Sequence, residues 1–228
     1  KLHVLFDGIE GKQSYEFDRE QYFSLLADIY IAGKDIELTE EIIEDFKITC
    51  FEEYPKYRDI FLNYEGVEEE ELLTREILRE NESDLNRMWV RFNQLCKECK
   101  DIVTDFYITN GDGPGNIMLS KVKMYLVDWD DLKKAPLERD AWFHFHKKDD
   151  LGKFISVMKT KGIDFVPNNK LIDYYLYKRF FDDITDNLEV ILNTDNIEKK
   201  RKANQDTIED CFKWTFKLML DDENERKT

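Results

Sequence analysis

An α+β fold, predominantly helical and built around one small antiparallel strand pair, is what this sequence predicts, on three observations. Long stretches place apolar residues at helical spacing; two short β-type runs, 106–109 and 124–127, interrupt them; and between those runs lies Asn110-Gly111-Asp112-Gly113-Pro114-Gly115-Asn116, the densest cluster of turn residues in the chain. The chain has 228 residues and 42% hydrophobic content, enough to bury one sizeable core, so the prior is a single domain or a domain with an appendage.

The elements follow in order. Residues 2–6 read as a strand, a poor free terminus for an independent domain, so a preceding segment is expected. Asp7-Gly8-Ile9-Glu10-Gly11-Lys12 is turn-rich and reads as a hinge. Asp18 with Gln21 gives a capping-box-like start, and Tyr22, Leu25, Leu26, Ile29 and Tyr30 share one helical face until Gly33 stops it. A second helix is expected from Thr39, through Ile43, Phe46 and Cys50, to about Pro55. Residues 68–102 should be helical in two pieces divided around Asn81-Glu82-Ser83, with the acidic run 68–71 at the positive end of a helix dipole. Beyond Asp128-Trp129-Asp130, helices are expected at 151–161, 169–192 and roughly 206–220. The stripe Ile172, Leu176, Phe180, Ile184, Leu188 and Ile191 marks the second of these as core. The tryptophans Trp89, Trp129, Trp142 and Trp214 are expected in the core, with Trp129 beside the turn-rich loop's partner strand.

Composition excludes several classes of function. No apolar run nears the roughly 18 residues that would span a bilayer. Fifty acidic residues against 34 basic, formally −16, repel nucleic acid and favour a cationic ligand. The four cysteines are too irregularly placed for a disulfide framework and suit a reducing cytoplasm; Cys96 and Cys99 form a CxxC inside a helical run, where two helix positions are the simpler reading than zinc. His144 and His146 flank Phe145 and read as packing or surface residues.

Asp112, Asn116 and Asp128 are the residues with chemistry. Phosphoryl transfer needs a carboxylate to orient the attacking hydroxyl and hard oxygen ligands to hold magnesium against the phosphates. Two strands joined by a tight loop would bring Asn116 and Asp128 together.

Asn110-Gly111-Asp112 followed by Pro114-Gly115-Asn116-Ile117 resembles the catalytic loop of the aminoglycoside/choline kinase family, and Tyr125-Leu126-Val127-Asp128-Trp129-Asp130 resembles its metal-binding strand. Ala135-Pro136-Leu137-Glu138-Arg139-Asp140 with Trp142-Phe143, and Tyr174-Tyr175-Leu176-Tyr177 leading to Asp183-Ile184, are similar to the spectinomycin-phosphotransferase branch. Residues 5–11 resemble the hinge between that family's two lobes. The resemblance implies a protein-kinase-like C-terminal lobe, with residues 1–12 a hinge remnant of the nucleotide lobe and 13–228 the helical catalytic and substrate lobe. It makes Asp112 the catalytic carboxylate, Asn116 and Asp128 the Mg2+ ligands, and the backbone around Asp7 and Ile9 the seat of the ATP or GTP base. Glu138 and Asp140 match a motif near the substrate side, where they would either touch ligand or brace the loop, bracing being the better reading, with Arg139 as an ion-pair partner.

Two positions depart from the family pattern: Asn110 stands where histidine is usual, and the loop from Asp112 to Asn116 is one residue shorter than the commonest form. The family's glycine-rich turn and phosphate-binding lysine precede the hinge, so this chain by itself is expected to bind nucleotide poorly and turn over little. The function implied is transfer of the γ-phosphate of ATP or GTP to a hydroxyl of a small cationic acceptor, an aminoglycoside-like antibiotic or a choline-like metabolite. The alternative is a catalytically silent binding module that kept the helical lobe.

Overall fold

The computed structural model describes residues 11–14, 16–36, 39, 42–121, 123–145 and 148–225. The described chain is mostly helical, with two small antiparallel sheets. It divides into two compact units, one formed by residues up to Glu44 with Val103–Asn168, the other by Asp45–Ile102 with Asn169 onward.

In the first unit, strand β1 (Lys12–Gln13) precedes helix α1 (Arg19–Gly33). The cap expected at Asp18 forms, its side chain accepting from the Gln21 amide at 2.8 Å, and Tyr22, Phe23, Leu26, Ala27 and Tyr30 make the buried face. Asp18→Ala should cost about 1 kcal/mol, read as a small fall in the unfolding midpoint and faster amide exchange in the first turn of α1. Strands β2 (Tyr107–Thr109), β3 (Ile117–Leu119), β4 (Met124–Leu126) and β5 (Lys133–Ala135) follow, then helices α5 (Glu138–Phe145) and α6 (Lys148–Thr160).

Strand pairing departs from the expectation of one central pair. The two anticipated strands do not pair with each other: β2 pairs with β5, whereas β4 pairs with β3, which pairs in turn with β1. Three-residue strands carry too little pattern to choose partners, and the turn Ser120–Lys123, closed by the Ser120 amide on the Lys123 carbonyl at 3.0 Å, supplies β4 with a nearer one. His144 is 2% exposed and packs edge-on against Phe23 at 4.8 Å between centroids, the packing role expected of it. His146 lies outside the described residues.

In the second unit, helices α2 (Glu53–Leu62), α3 (Glu69–Glu80), α4 (Glu82–Lys100) and α7 (Asn169–Asn193) form the core, with the expected break at Asn81. The α7 stripe is wholly buried, and Phe92 of α4 stacks on Phe181 with rings 5.5 Å apart. The last helix runs from α8 (Ile197–Asp206) through a wider π-type stretch (Thr207–Phe216) into α9 (Lys217–Glu225). Trp214, expected in the core, is 43% exposed.

The helix expected from Thr39 to Pro55 is not formed as expected. Ile43 instead bridges Lys134 in parallel and the Glu44 amide bonds the Lys134 carbonyl at 2.9 Å, which fixes this stretch as extended. Within the second unit, Phe46 takes a left-handed φ of 53° and packs on Tyr174, whose hydroxyl donates to the Lys47 carbonyl at 3.1 Å. Packing here overrides apolar spacing, and Pro55 sits in the first turn of α2, where its missing N–H costs nothing.

Candidate functional site

The candidate site belongs to the first unit and is built on the turn-rich loop. β2 leads into Asn110, Gly113–Asn116 forms one 3-10 turn, and β3 leaves it. Because Ile117 lies opposite Leu126, the next backbone bond runs from the Val127 amide to the Asn116 carbonyl at 3.0 Å, placing Asp128 one residue beyond Asn116's partner.

Within the loop, the Asn116 Nδ2 donates to Asp112 Oδ2 at 2.9 Å, so these two expected residues touch. Asp128 is exposed and holds a left-handed φ of 58°, a conformation that an aspartate tolerates better than most residues. Asn110 joins the two halves: its Nδ2 donates to the Asp128 carbonyl at 2.7 Å, and its Oδ1 accepts from the Asp112 amide at 3.3 Å. A neutral amide thus ties the loop to the strand end with one donor and one acceptor.

Beneath the loop lies a buried polar floor. Asp140, 1% exposed, accepts from the Gly111 amide at 2.7 Å, from the Asn110 amide at 3.4 Å and from the Tyr30 hydroxyl at 2.8 Å. Burial pushes its carboxyl above the ordinary aspartate range, against the pull of Arg139 and of these donors. Arg139, also buried, spends its guanidinium on the Thr109 carbonyl and hydroxyl and on Asp131. Glu138, raised by burial as well, accepts from the Asn168 amide at 2.9 Å. Asp140 braces the loop through these contacts, whereas the Glu138 carboxylate holds the Asn168 amide and not the loop, and Arg139's ion-pair partner is Asp131. Gln13 Nε2 donates to the Gly115 carbonyl at 2.7 Å, a further hold on the turn.

Sequence reasoning did not single out Gln13, Asp131 or the hydroxyl of Tyr30. The usable signal was chemical: a tyrosine on the apolar face of a helix brings a hydroxyl that must find a partner once buried. Asp7 and Ile9, expected to receive the nucleotide base, lie outside the described residues.

No three His, Cys, Asp or Glu side chains cluster as a metal site among the described residues. Magnesium does not require such a cluster; it takes one or two carboxylates, keeps several waters and completes its shell from substrate phosphates. The hard oxygen set of Asn116 and Asp128 fits that demand. The second unit holds an acid-rich cavity of about 220 Å3 lined by Asp183, Asp186, Asp206 and Asp210, in which burial lifts Asp183 to about 6; Arg179, paired with Asp183 at 2.7 Å, already occupies part of it.

Neither protein-family models nor curated proteins match the sequence. Solved structures do match the fold. Spectinomycin phosphotransferase APH(9)-Ia in complex with ADP and spectinomycin aligns with a TM-score of 0.64 and 16% identity over 87% of this chain and 64% of that one. The AMP-bound complex of the same enzyme aligns at 0.63 and 18% identity, over 88% and 66%. The chain therefore shares its fold with that phosphotransferase and spans a little under two thirds of that protein's length. Among the described residues, no helix is long and apolar enough to cross a membrane.

Proposed function

We propose that this chain is the helical, C-terminal lobe of a phosphotransferase that moves the γ-phosphate of ATP or GTP to a hydroxyl of a small cationic acceptor. The observation that carries the reading is the joining of Asp112, Asn116 and the Asp128 strand end through Asn110, in a fold shared with spectinomycin phosphotransferase. In this reading residues 1–12 are the hinge to a nucleotide lobe, and the backbone at Asp7 and Ile9 meets the base. The ADP and AMP of the neighbouring structures support a nucleotide as phosphate donor. The formal charge of −16 supports a cationic acceptor, aminoglycoside-like or choline-like. Free, buried cysteines support a reducing cytoplasmic setting.

Asp112 orients the acceptor hydroxyl and receives its proton as the oxygen attacks the γ-phosphorus, while the bond to the β–γ bridging oxygen breaks and the nucleoside diphosphate leaves. Asn116, whose Nδ2 is engaged by Asp112, offers its Oδ1, and Asp128 its carboxylate, as the Mg2+ ligands. A bound magnesium ion would neutralise charge on the phosphates. Asn110 in the family's histidine position is the feature that favours a silent binding module, but its two hydrogen bonds do the orienting work such a position requires.

The test is nucleotide consumption with Mg2+ and either ATP or GTP, against a panel of spectinomycin, other aminoglycosides, choline and sugar alcohols. Using the chain together with any residues encoded before Lys1, diphosphate should form only with a suitable acceptor and stop on chelation of the metal. No acceptor-dependent turnover across the panel would remove the transferase reading.

A further inference from the structure

We propose that Tyr30 is a positioning residue for the catalytic loop: its hydroxyl holds the Asp140 carboxylate in the orientation that grips the Gly111 and Asn110 amides, and so sets where Asp112 stands. Only the effect on turnover rests on the phosphotransferase reading; the effect on loop order does not.

Helix α1 is fixed to the root of the loop. A Cβ on Gly33 would stand 2.8 Å from Ile108 Cδ1, so the helix end and β2 approach as closely as glycine permits. The Tyr30 ring lies 5.8 Å from that of Tyr107, and its hydroxyl reaches Asp140 Oδ2 at 2.8 Å. Asp140 Oδ1 takes the Gly111 amide at 2.7 Å. The neighbouring Arg139 guanidinium is bonded to Thr109 and Asp131, so Asp140 rests on neutral donors, of which Tyr30 is the side chain and the others are main chain. Without the hydroxyl, Oδ2 would keep only the long 3.4 Å bond from Asn110, and the carboxylate would lose its fixed rotamer.

The groups facing Asp140 are Tyr22 and Tyr30 from α1, Arg139 from its own helix, and uncharged amides from the loop, while His144, one turn further along that helix, packs edge-on against the Tyr22 ring. The ionised carboxylate is the form that accepts from the loop, so its hold is present above its pKa and lost as pH falls through it. Burial raises that pKa and the Tyr30 hydroxyl lowers it, so removing the hydroxyl moves the loss to higher pH.

The experiment compares Tyr30→Phe with wild type by amide exchange at Gly111 over about pH 4 to 8. We expect roughly tenfold weaker protection and an acid limb shifted to higher pH. Unchanged Gly111 protection with an unmoved pH profile would overturn the proposal. Where the wild-type chain turns over, kcat should fall by about 10- to 100-fold with the acceptor KM nearly unchanged, as expected of a misplaced group and not of a lost binding contact. An unchanged kcat beside a loosened loop would overturn the link to Asp112. A wild-type protein that shows no turnover even with any residues encoded before Lys1 would count against the transferase reading, and the exchange result would still decide the role of Tyr30. Should Tyr30→Phe not fold, Asp140→Asn serves instead: the pH dependence of Gly111 protection should vanish there, and its persistence would overturn the proposal.

Discussion

Asp112→Asn is expected to lower acceptor-dependent nucleotide turnover by about 10²- to 10⁴-fold and to leave the fold intact. The side chain is half-buried at the entry to the 3-10 turn, where its backbone amide is held by Asn110 Oδ1. An amide of the same shape keeps that backbone bond, so stability should change little. The chemistry does not survive, because an amide oxygen cannot take the proton of the attacking hydroxyl. A second consequence follows from the neighbouring contact. Asp112 Oδ2 accepts from Asn116 Nδ2 at 2.9 Å, and if the new amide presents its nitrogen there, Asn116 must turn its oxygen inward, away from a metal. Asp112→Asn should therefore also raise the Mg2+ concentration needed for half-maximal rate. Turnover within a few-fold of wild type, at any Mg2+ concentration, would remove Asp112 from its proposed role.

How far the sequence reaches can be read residue by residue. Helix α1 was legible because its cap and its face obey local rules: Asp18 caps, Gln21 receives, and Gly33 ends it. The turn-rich loop was legible because its turn residues stand out against the helices. Two of the strands, β2 and β4, were legible too, but their pairing was not, because it is a choice between distant segments, and Ile117-Met118-Leu119 has no period that separates a strand from a short helix. The spacing of Ile43, Phe46 and Cys50 mimics a helix, although what buries the latter two is an irregular turn packed on α7. The Tyr30 hydroxyl was hidden for a related reason. Counting tyrosine as apolar places the ring correctly but says nothing of its polar tip, whose partner is 110 residues away.

That floor also explains the expected outcome for the loop's first glycine. Gly111→Ala should destabilise the first unit by about 2 to 5 kcal/mol, among the largest effects available to a single methyl group. Gly111 has a φ of +83°, where a Cβ is strained by roughly 1 to 2 kcal/mol before any neighbour is considered. The neighbour makes it worse: the added carbon would stand 2.2 Å from Arg139 Cζ, well inside contact distance. Surface arginines give way easily, but Arg139 is 3% exposed and is held at the Thr109 carbonyl, the Thr109 hydroxyl and Asp131. Moving it strands a buried cation; moving the loop instead pulls the Gly111 amide from Asp140. Either route breaks a charge-assisted bond, which adds about 1 to 3 kcal/mol of overpacking and lost bonding to the backbone term. The measurement is the unfolding midpoint together with amide exchange along β2 and α5. Exchange in the second unit should be far less affected, because the clash and its bonds all lie in the first. A loss of stability under about 0.5 kcal/mol would mean that the loop is not seated on Arg139 and Asp140, and the positioning assigned to that floor would fall with it.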